Sequence, residues 1–282
     1  MIVDAHTHTP THVNAVPKEE ERWATVNRPD RAVKMTTSYE EYFEAMRPVD
    51  RAICFGIAML HEQLAVDVNN AVAALAAASN GKVIGFMSVH ADDPNALDEM
   101  ERAYHELGLR GLKLGPNYQN FDPVGENACK VYAKAQEMGL PVVFHQGTSP
   151  VRDAPIRYAH PLVMDEIAMR FPNLKIVMAH LAHPWLEDCL VVVRKHPNVY
   201  ADVSARYYRP WSFYNGMRYA YEWAVMDKLL FGTDYPVSTP QENINGLRGL
   251  NDFARKHHLP EVPQELLEGI IHRDTLTLLG LS

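Results

Sequence analysis

His6 and His8 stand two apart, just behind the short run Ile2-Val3-Asp4-Ala5. On an extended strand, residues two apart project from the same side. Two imidazoles held side by side can grip a divalent cation through their ring nitrogens. A solitary His-x-His also occurs as an ordinary polar strand end, so the pair needs company. Later apolar runs supply it, ending in His90, His145, His180 and finally Asp234. A carboxylate behind a buried strand is costly unless it is paired, hydrogen-bonded or bound to a metal. His6, His8, His145 and Asp234 are therefore the candidate metal ligands. Three histidines and one aspartate suit Zn²⁺ with a water in an open position; Mn²⁺, Fe²⁺ and Co²⁺ are the other ions such a set accepts.

Lys113 lies in Gly111-Leu-Lys-Leu-Gly115, where the two leucines share one face and should pack on helices. Lys113 then points the other way, into the interior, where an unpaired ammonium is expensive. Three roles are open to it: binding a substrate carboxylate, bridging two metals as a carbamate, or pairing with a carboxylate such as Asp202. The number of metals, one or two, turns on Lys113 and His180. Arg152, Arg157, Arg206, Arg209, Tyr207 and Trp211 fall in apparent loops, where an arginine cluster suits a carboxylate-bearing or aromatic substrate. Of these, Arg206 and Tyr207 join Lys113 and His183 as candidate substrate-binding residues. His12 and His90 are weaker candidates for the site.

Position along the chain is what unites these residues. Short β-rich runs at Ile2–Asp4, Ala52–Ile57, Val83–Val89, Gly111–Leu114, Val142–Phe144, Lys175–Met178, Val199–Val203 and Leu229–Phe231 alternate with helical patterns. The clearest helices are Leu64–Ala78, Leu97–Leu107, Glu126–Met138, Leu162–Arg170 and Glu187–Lys195, with closing helices over Glu242–His257 and Gln264–Leu279. Such alternation predicts a parallel sheet wrapped by helices, and the strand count favours a closed (β/α)₈ TIM barrel. In that fold every strand ends at one face, and catalytic side chains gather there. Gly108, Gly139 and Asn173 follow helical segments, where a left-handed cap is expected. Thr9–Ser38 reads as a long loop on the active-site side, and no linker or repeat divides residues 1–282 into two domains.

Composition narrows the function. The chain has 282 residues, 47% of them hydrophobic, and a formal net charge of −8. No block of Lys and Arg argues for nucleic acid, while a local arginine cluster can still attract a small anion. No apolar run approaches the roughly 20 residues that span a bilayer. Three cysteines without a Cys-x-x-Cys pair indicate free thiols in a reducing compartment. The expectation is a cytoplasmic enzyme acting on a small molecule. Trp211, Phe213 and Tyr214 mark either a lid or a homodimer patch.

The motifs Asp4-Ala-His-Thr-His8, Gly111-Leu-Lys-Leu-Gly-Pro116, Val143-Phe-His-Gln-Gly147, Ala179-His-Leu-Ala-His-Pro-Trp185 and Leu230-Phe-Gly-Thr-Asp-Tyr-Pro236 resemble the amidohydrolase superfamily. More narrowly, they resemble the amidohydrolase-related branch that also contains aminocarboxymuconate semialdehyde decarboxylase. The resemblance implies a distorted (β/α)₈ barrel with metal on His6, His8, His145 and Asp234. It makes His180 a catalytic acid/base or a further ligand. One departure is that Ala182 stands where the branch often has glycine, which should narrow the pocket floor. Because the branch holds both hydrolases and decarboxylases, two reactions follow. The first is hydrolysis of an amide, lactone or ester by metal-activated water, with Asp234 and His180 moving protons. The alternative is non-oxidative decarboxylation of an aromatic or unsaturated acid.

Overall fold

The computed structural model describes residues 1–10, 28–60, 64–149 and 151–281. Eight strands alternate with helices: β1 (Val3–His8), α1 (Tyr39–Ala45), β2 (Arg51–Phe55), α2 (Leu64–Ala78), β3 (Val83–Gly85), α3 (Ala96–His105), β4 (Leu112–Leu114) and α4 (Pro116–Gln119). There follow α5 (Glu126–Glu137), β5 (Val142–Phe144), α6 (Leu162–Arg170), β6 (Ile176–Met178), α7 (Leu186–Lys195), β7 (Val199–Asp202), α8 (Pro210–Glu222) and β8 (Leu229–Leu230). The chain ends with α9 (Pro240–Arg248), α10 (Leu250–Lys256), α11 (Gln264–Ile271) and α12 (Thr275–Leu279).

Every ladder is parallel, in the orders β1-β2-β3 and β4-β5-β6-β7-β8. Single bridges, Met87 to Leu112 and Thr7 to Tyr235, span the two gaps between them. The Ala5 amide also donates to the Phe231 carbonyl at 2.9 Å. The result is a distorted TIM barrel. β3 is shorter than expected because the Ser88 amide turns away to the Asn69 side chain at 2.8 Å.

Alternation along the strands sorts the core into two layers. Val3, Ala5, Ile53, Phe55, Val143, Val177 and Leu230 fill the barrel, and Leu276 and Leu279 of α12 pack into the same cluster. Leu112, Leu114, Val142, Phe144, Ile176 and Met178 face the helices instead. Lys113 pairs in register with Val143, which pairs with Val177, so it occupies an interior position.

Three helices fall outside the helical patterns of the sequence: α1, the four-residue α4 and α8. α1 opens with a capping box, Ser38 and Glu41 each satisfying the other's backbone amide. α8 replaces the loop expected after β7: Pro210 starts it, and Phe213, Met217 and Ala220 form its buried stripe. Phe213 and Tyr214 are accordingly buried, leaving only Trp211 of that trio exposed. The two closing segments each divide, at Gly249 and at His272–Asp274. Gly108 and Gly139 take the expected positive φ, whereas Asn173 does not. Among the described residues no helix is long and apolar enough to cross a membrane.

Candidate metal centre

The centre starts from an irregularity in β1. Register shifts by one residue between Asp4 and Thr7, a bulge that breaks the ladder there. The buried Asp4 carboxylate takes over, accepting from the amides of His6 (3.1 Å) and Thr233 (3.0 Å) and from the Thr233 hydroxyl (2.6 Å). It thereby ties β1 to the exit of β8. Burial pushes Asp4 up to about 7, against the pull of those hydrogen bonds.

Each histidine is then fixed through one ring nitrogen. Nδ1 of His6 donates to Asp202 at 2.8 Å, which leaves Nε2 with the lone pair. That Nε2 is buried without a hydrogen bond, 3.3 Å from Oδ1 of Asp234. Nε2 of His8 lies 3.0 Å from the same oxygen. His145, at the end of β5, donates from Nε2 to the Thr148 carbonyl at 3.2 Å, so its Nδ1 keeps the free pair. The Ser204 hydroxyl donates to Asp202, which obliges Nδ1 of His180 to donate to Ser204 at 2.7 Å. Nε2 of His180 is the nitrogen left over.

Backbone conformation sets the remaining geometry. His180, Leu181 and Ala182 take successive left-handed values of φ, 59°, 49° and 48°, and Asp234 sits at 62°. Such conformations disfavour non-glycine residues and persist where neighbours enforce them. The His180 amide is held by Asp202 at 3.0 Å, and the Asp234 amide by the His6 carbonyl at 2.8 Å. Glycine in the branch pattern at position 182 matches this left-handed φ. Ala182 itself is fully buried and does not line the cleft, so it does not narrow its floor.

One ligand atom each from His6, His180 and Asp234 lies within 4.8 Å of the others. The His6 ring centroid is 5.3 Å from His8 and 4.8 Å from His180, and His145 is 5.2 Å from His180. Burial drives His8 and His180 down to about 4, and His145 well below the ordinary histidine value. Burial opposes ionisation of Asp234, but the neighbouring His180, His6 and His8 outweigh it and hold the carboxyl well below its usual range. The imidazoles of His8, His145 and His180, held neutral by burial, stand around an ionised carboxylate beside the orphaned Nε2 of His6, a set that fits a divalent cation.

Asp202 is the residue whose role the sequence concealed. The sequence offers it as a partner for Lys113, but its oxygens serve His6, the His180 amide and Ser204. Lys113 is 1% exposed and makes no hydrogen bond; Nζ lies 4.5 Å over the Phe55 ring. Burial lowers it to about 8, partly offset by the charges of Asp202 and Asp234.

Above this floor opens a small cleft of about 90 Å³, where His145, His180 and Asp234 surface. Its walls carry Tyr118, Gln146, His183, Arg206, Tyr208 and Arg209. Arg206 is 1% exposed, and its guanidinium donates to the Ser212 hydroxyl. Burial pushes it down to about 10. His183, pushed down to about 3 by burial and then by Arg206 and Arg209, lies 3.4 Å from that hydroxyl.

Tyr207 is not on the cleft. A Cβ on Gly246 would stand 2.4 Å from its Cβ, and it packs on α9, while its neighbour Tyr208 faces the cavity. Arg28 lies over both rings, 5.2 and 4.6 Å from their centroids, and pairs with Asp30 and Glu242. Arg152 and Arg157 do not line the cleft either. His90 is a structural residue, bonded to the Gln119 carbonyl and the Asp92 amide. His12 lies outside the described residues.

Fold and site meet in the comparisons with known proteins. The family model described as amidohydrolase matches residues 3–281, and the chain belongs to that family. A dihydroorotase from Helicobacter pylori (strain P12) is 33% identical over 125 residues, covering 42% of this chain and 35% of the relative. An uncharacterised TIM-barrel protein from Bordetella bronchiseptica superposes with a TM-score of 0.75 at 23% identity, covering 99% of this chain and 98% of the other. A 5-carboxyvanillate decarboxylase from Novosphingobium aromaticivorans, solved with manganese and a nitrobenzoic acid, gives 0.70 at 14% identity, covering 100% and 96%. Matched over about a third of the dihydroorotase, the chain shares only part of its length.

Proposed function

We propose that the protein is a metal-dependent hydrolase that opens a C–N or C–O bond, in an amide, lactone or ester, of a small carboxylate-bearing substrate. The observation that carries this reading is the convergence of His6, His180 and Asp234 within 4.8 Å beneath a cleft walled by Arg206.

His6, His8, His145 and Asp234 would hold the cation, the first and third through tautomers already set by Asp202 and the Thr148 carbonyl. Zn²⁺ suits the donor set, and the manganese of the decarboxylase neighbour is the nearest competitor. A divalent cation bound there lowers the pKa of water towards about 7 and polarises a carbonyl. Asp234 takes the attacking water's proton at a carboxylate oxygen. His180, with Nδ1 braced on Ser204, accepts that proton from Asp234 at Nε2 and passes it on to the leaving group. Arg206 offers a planar fork for the substrate carboxylate, and Arg209 lies on the same wall.

Decarboxylation is the second reading, favoured by the rings of Tyr118 and Tyr208 that border the cleft and suit a flat acid. One experiment separates the two. The protein is reconstituted with Zn²⁺ or Mn²⁺, its metal content measured, and a panel of amides, lactones, esters and aromatic hydroxy acids supplied. Bound metal with hydrolysis products is the expected result. CO₂ release without hydrolysis transfers the assignment to the lyase, and failure to retain any divalent metal overturns both.

A further inference from the structure

The barrel end away from the metal holds a second cavity. It measures about 410 Å³, within the roughly 300–1,000 Å³ usual for small-molecule sites. Arg51 of its wall opens β2, and Val83 and Ile84 open β3, whereas His8, His145 and Asp234 stand at strand exits.

Three cations gather at this cavity. Arg51 and Arg110 both line it. Lys175 stands at its edge: a Cβ on Gly280, a wall residue, would lie 2.7 Å from the lysine Nζ. Among the described residues none of the three forms an ion pair, and no Asp or Glu lines the cavity. Asp50, next to Arg51 in the chain, is engaged elsewhere, accepting from the Ile2 amide at 2.6 Å. On a chain of net charge −8, cations gathered without acids set up a local field that draws an anion.

Other basic side chains at this end spend their protons on backbone carbonyls. Lys228 donates to Val193 at 2.6 Å and Arg273 to Met226 at 3.1 Å. Arg110 does so through Nη1 alone, to Tyr104 at 3.0 Å and Leu109 at 3.2 Å, with its guanidinium 4.6 Å over the Tyr104 ring. Arg51 differs from all of them. Its side chain makes no hydrogen bond, and its Nε is buried without a partner. A buried charged donor left unmatched is costly, so a protein that keeps one normally satisfies it with water or ligand.

The remaining walls are apolar, with Val83, Ile84, Met138, Leu140 and Leu281 among them. Charge on one side and hydrocarbon on the other call for a ligand with both. We propose that this cavity is a second ligand site for a small organic anion. Arg51 and Arg110 take its carboxylate or phosphate oxygens, Lys175 adds charge at the edge, and its apolar body packs on Ile84, Met138 and Leu281. The site stands apart from the metal centre and holds whichever reaction that centre performs.

The test reads the cavity's own side chains. Zinc-loaded protein, methyl-labelled at Ile, Leu and Met, is titrated with benzoate, phenyl phosphate, benzamide and inorganic phosphate. Methyl NMR follows Ile84, Met138 and Leu281. Arg51→Met is run alongside, since Arg51 makes no side-chain hydrogen bond whose loss would unfold the chain, and Lys175→Met supplies a second variant. The expected result is saturable shifts at these methyls with benzoate or phenyl phosphate and none with benzamide. Affinity should fall roughly 10–100-fold in Arg51→Met and by a smaller factor in Lys175→Met. Arg206→Gln should leave the shifts in place, which separates this site from any anion held in the cleft. Absence of saturable shifts overturns the proposal, as do equal binding of benzamide or native affinity in Arg51→Met. Inorganic phosphate binding as tightly as the organic anions refutes the apolar contact, and with it the ligand class.

Discussion

Asp202 accepts a hydrogen bond from Nδ1 of His6 at 2.8 Å and reaches His180 twice, directly at its amide and through Ser204 at its ring. A single buried carboxylate thereby fixes the tautomers of two histidines, one on β1 and one in the turn after β6. Replacing it by Asn keeps the shape but weakens acceptance from both. Asp202→Asn is expected to lower metal affinity about 10–100-fold, as loss of a ligand's hydrogen-bonding partner generally does. Competition with a chromophoric chelator measures it, and native affinity would refute the role.

His180 sits near the centre yet is assigned proton transfer rather than ligation. His180→Gln is therefore expected to retain its metal while kcat falls by about 10²-fold or more. Metal content and steady-state kinetics on one preparation decide. Loss of the metal would make His180 a ligand.

Arg206 is assigned the substrate carboxylate. Arg206→Lys keeps the charge but loses the fork, so KM for carboxylated substrates should rise about tenfold while neutral analogues are unaffected. Tyr208→Phe should alter KM where Tyr207→Phe does not, because only Tyr208 lines the cavity.

Lys113 is buried, without a hydrogen bond, and lowered to about 8. In the metal-free protein, Lys113→Met is expected to raise unfolding free energy by on the order of 2 kcal/mol at neutral pH, relieving the buried charge. Between about pH 8 and the ordinary lysine value of 10.5 the unfolded chain holds the extra proton, so native stability rises with pH across that window. The Met variant should lack that rise in denaturant titrations.

Gly147→Ala forces a Cβ to 2.3 Å from the His183 carbonyl at a positive φ. A loss of roughly 2–4 kcal/mol is expected in urea titration, with weaker substrate binding from the displaced β5 exit.

Much of this was legible from pattern alone. β5, α2 and α6 fall at their expected bounds because each has clean periodicity and clear punctuation. The strand-end histidines were legible because a parallel barrel sends every strand end to one face. What sequence could not give was pairing across the chain. Asp202 and His6 are 196 residues apart, and Asp202 fitted Lys113 equally well until the register placed it. α8 carried its signal in Pro210 and the 213, 217, 220 stripe, but aromatic density there looked like a loop surface. Tyr207 and Tyr208 differ by one position, and only the turn out of β7 decides which meets the cavity.

The neighbouring tyrosines divide two demands that usually compete. Tyr207, with Arg28 above it and α9 behind, locks the rim, so that part of the scaffold tolerates little change. Tyr208 shares the backbone of that anchor but shows its ring to the cavity. Substrate preference can therefore drift through one side chain while the rim it hangs from stays put.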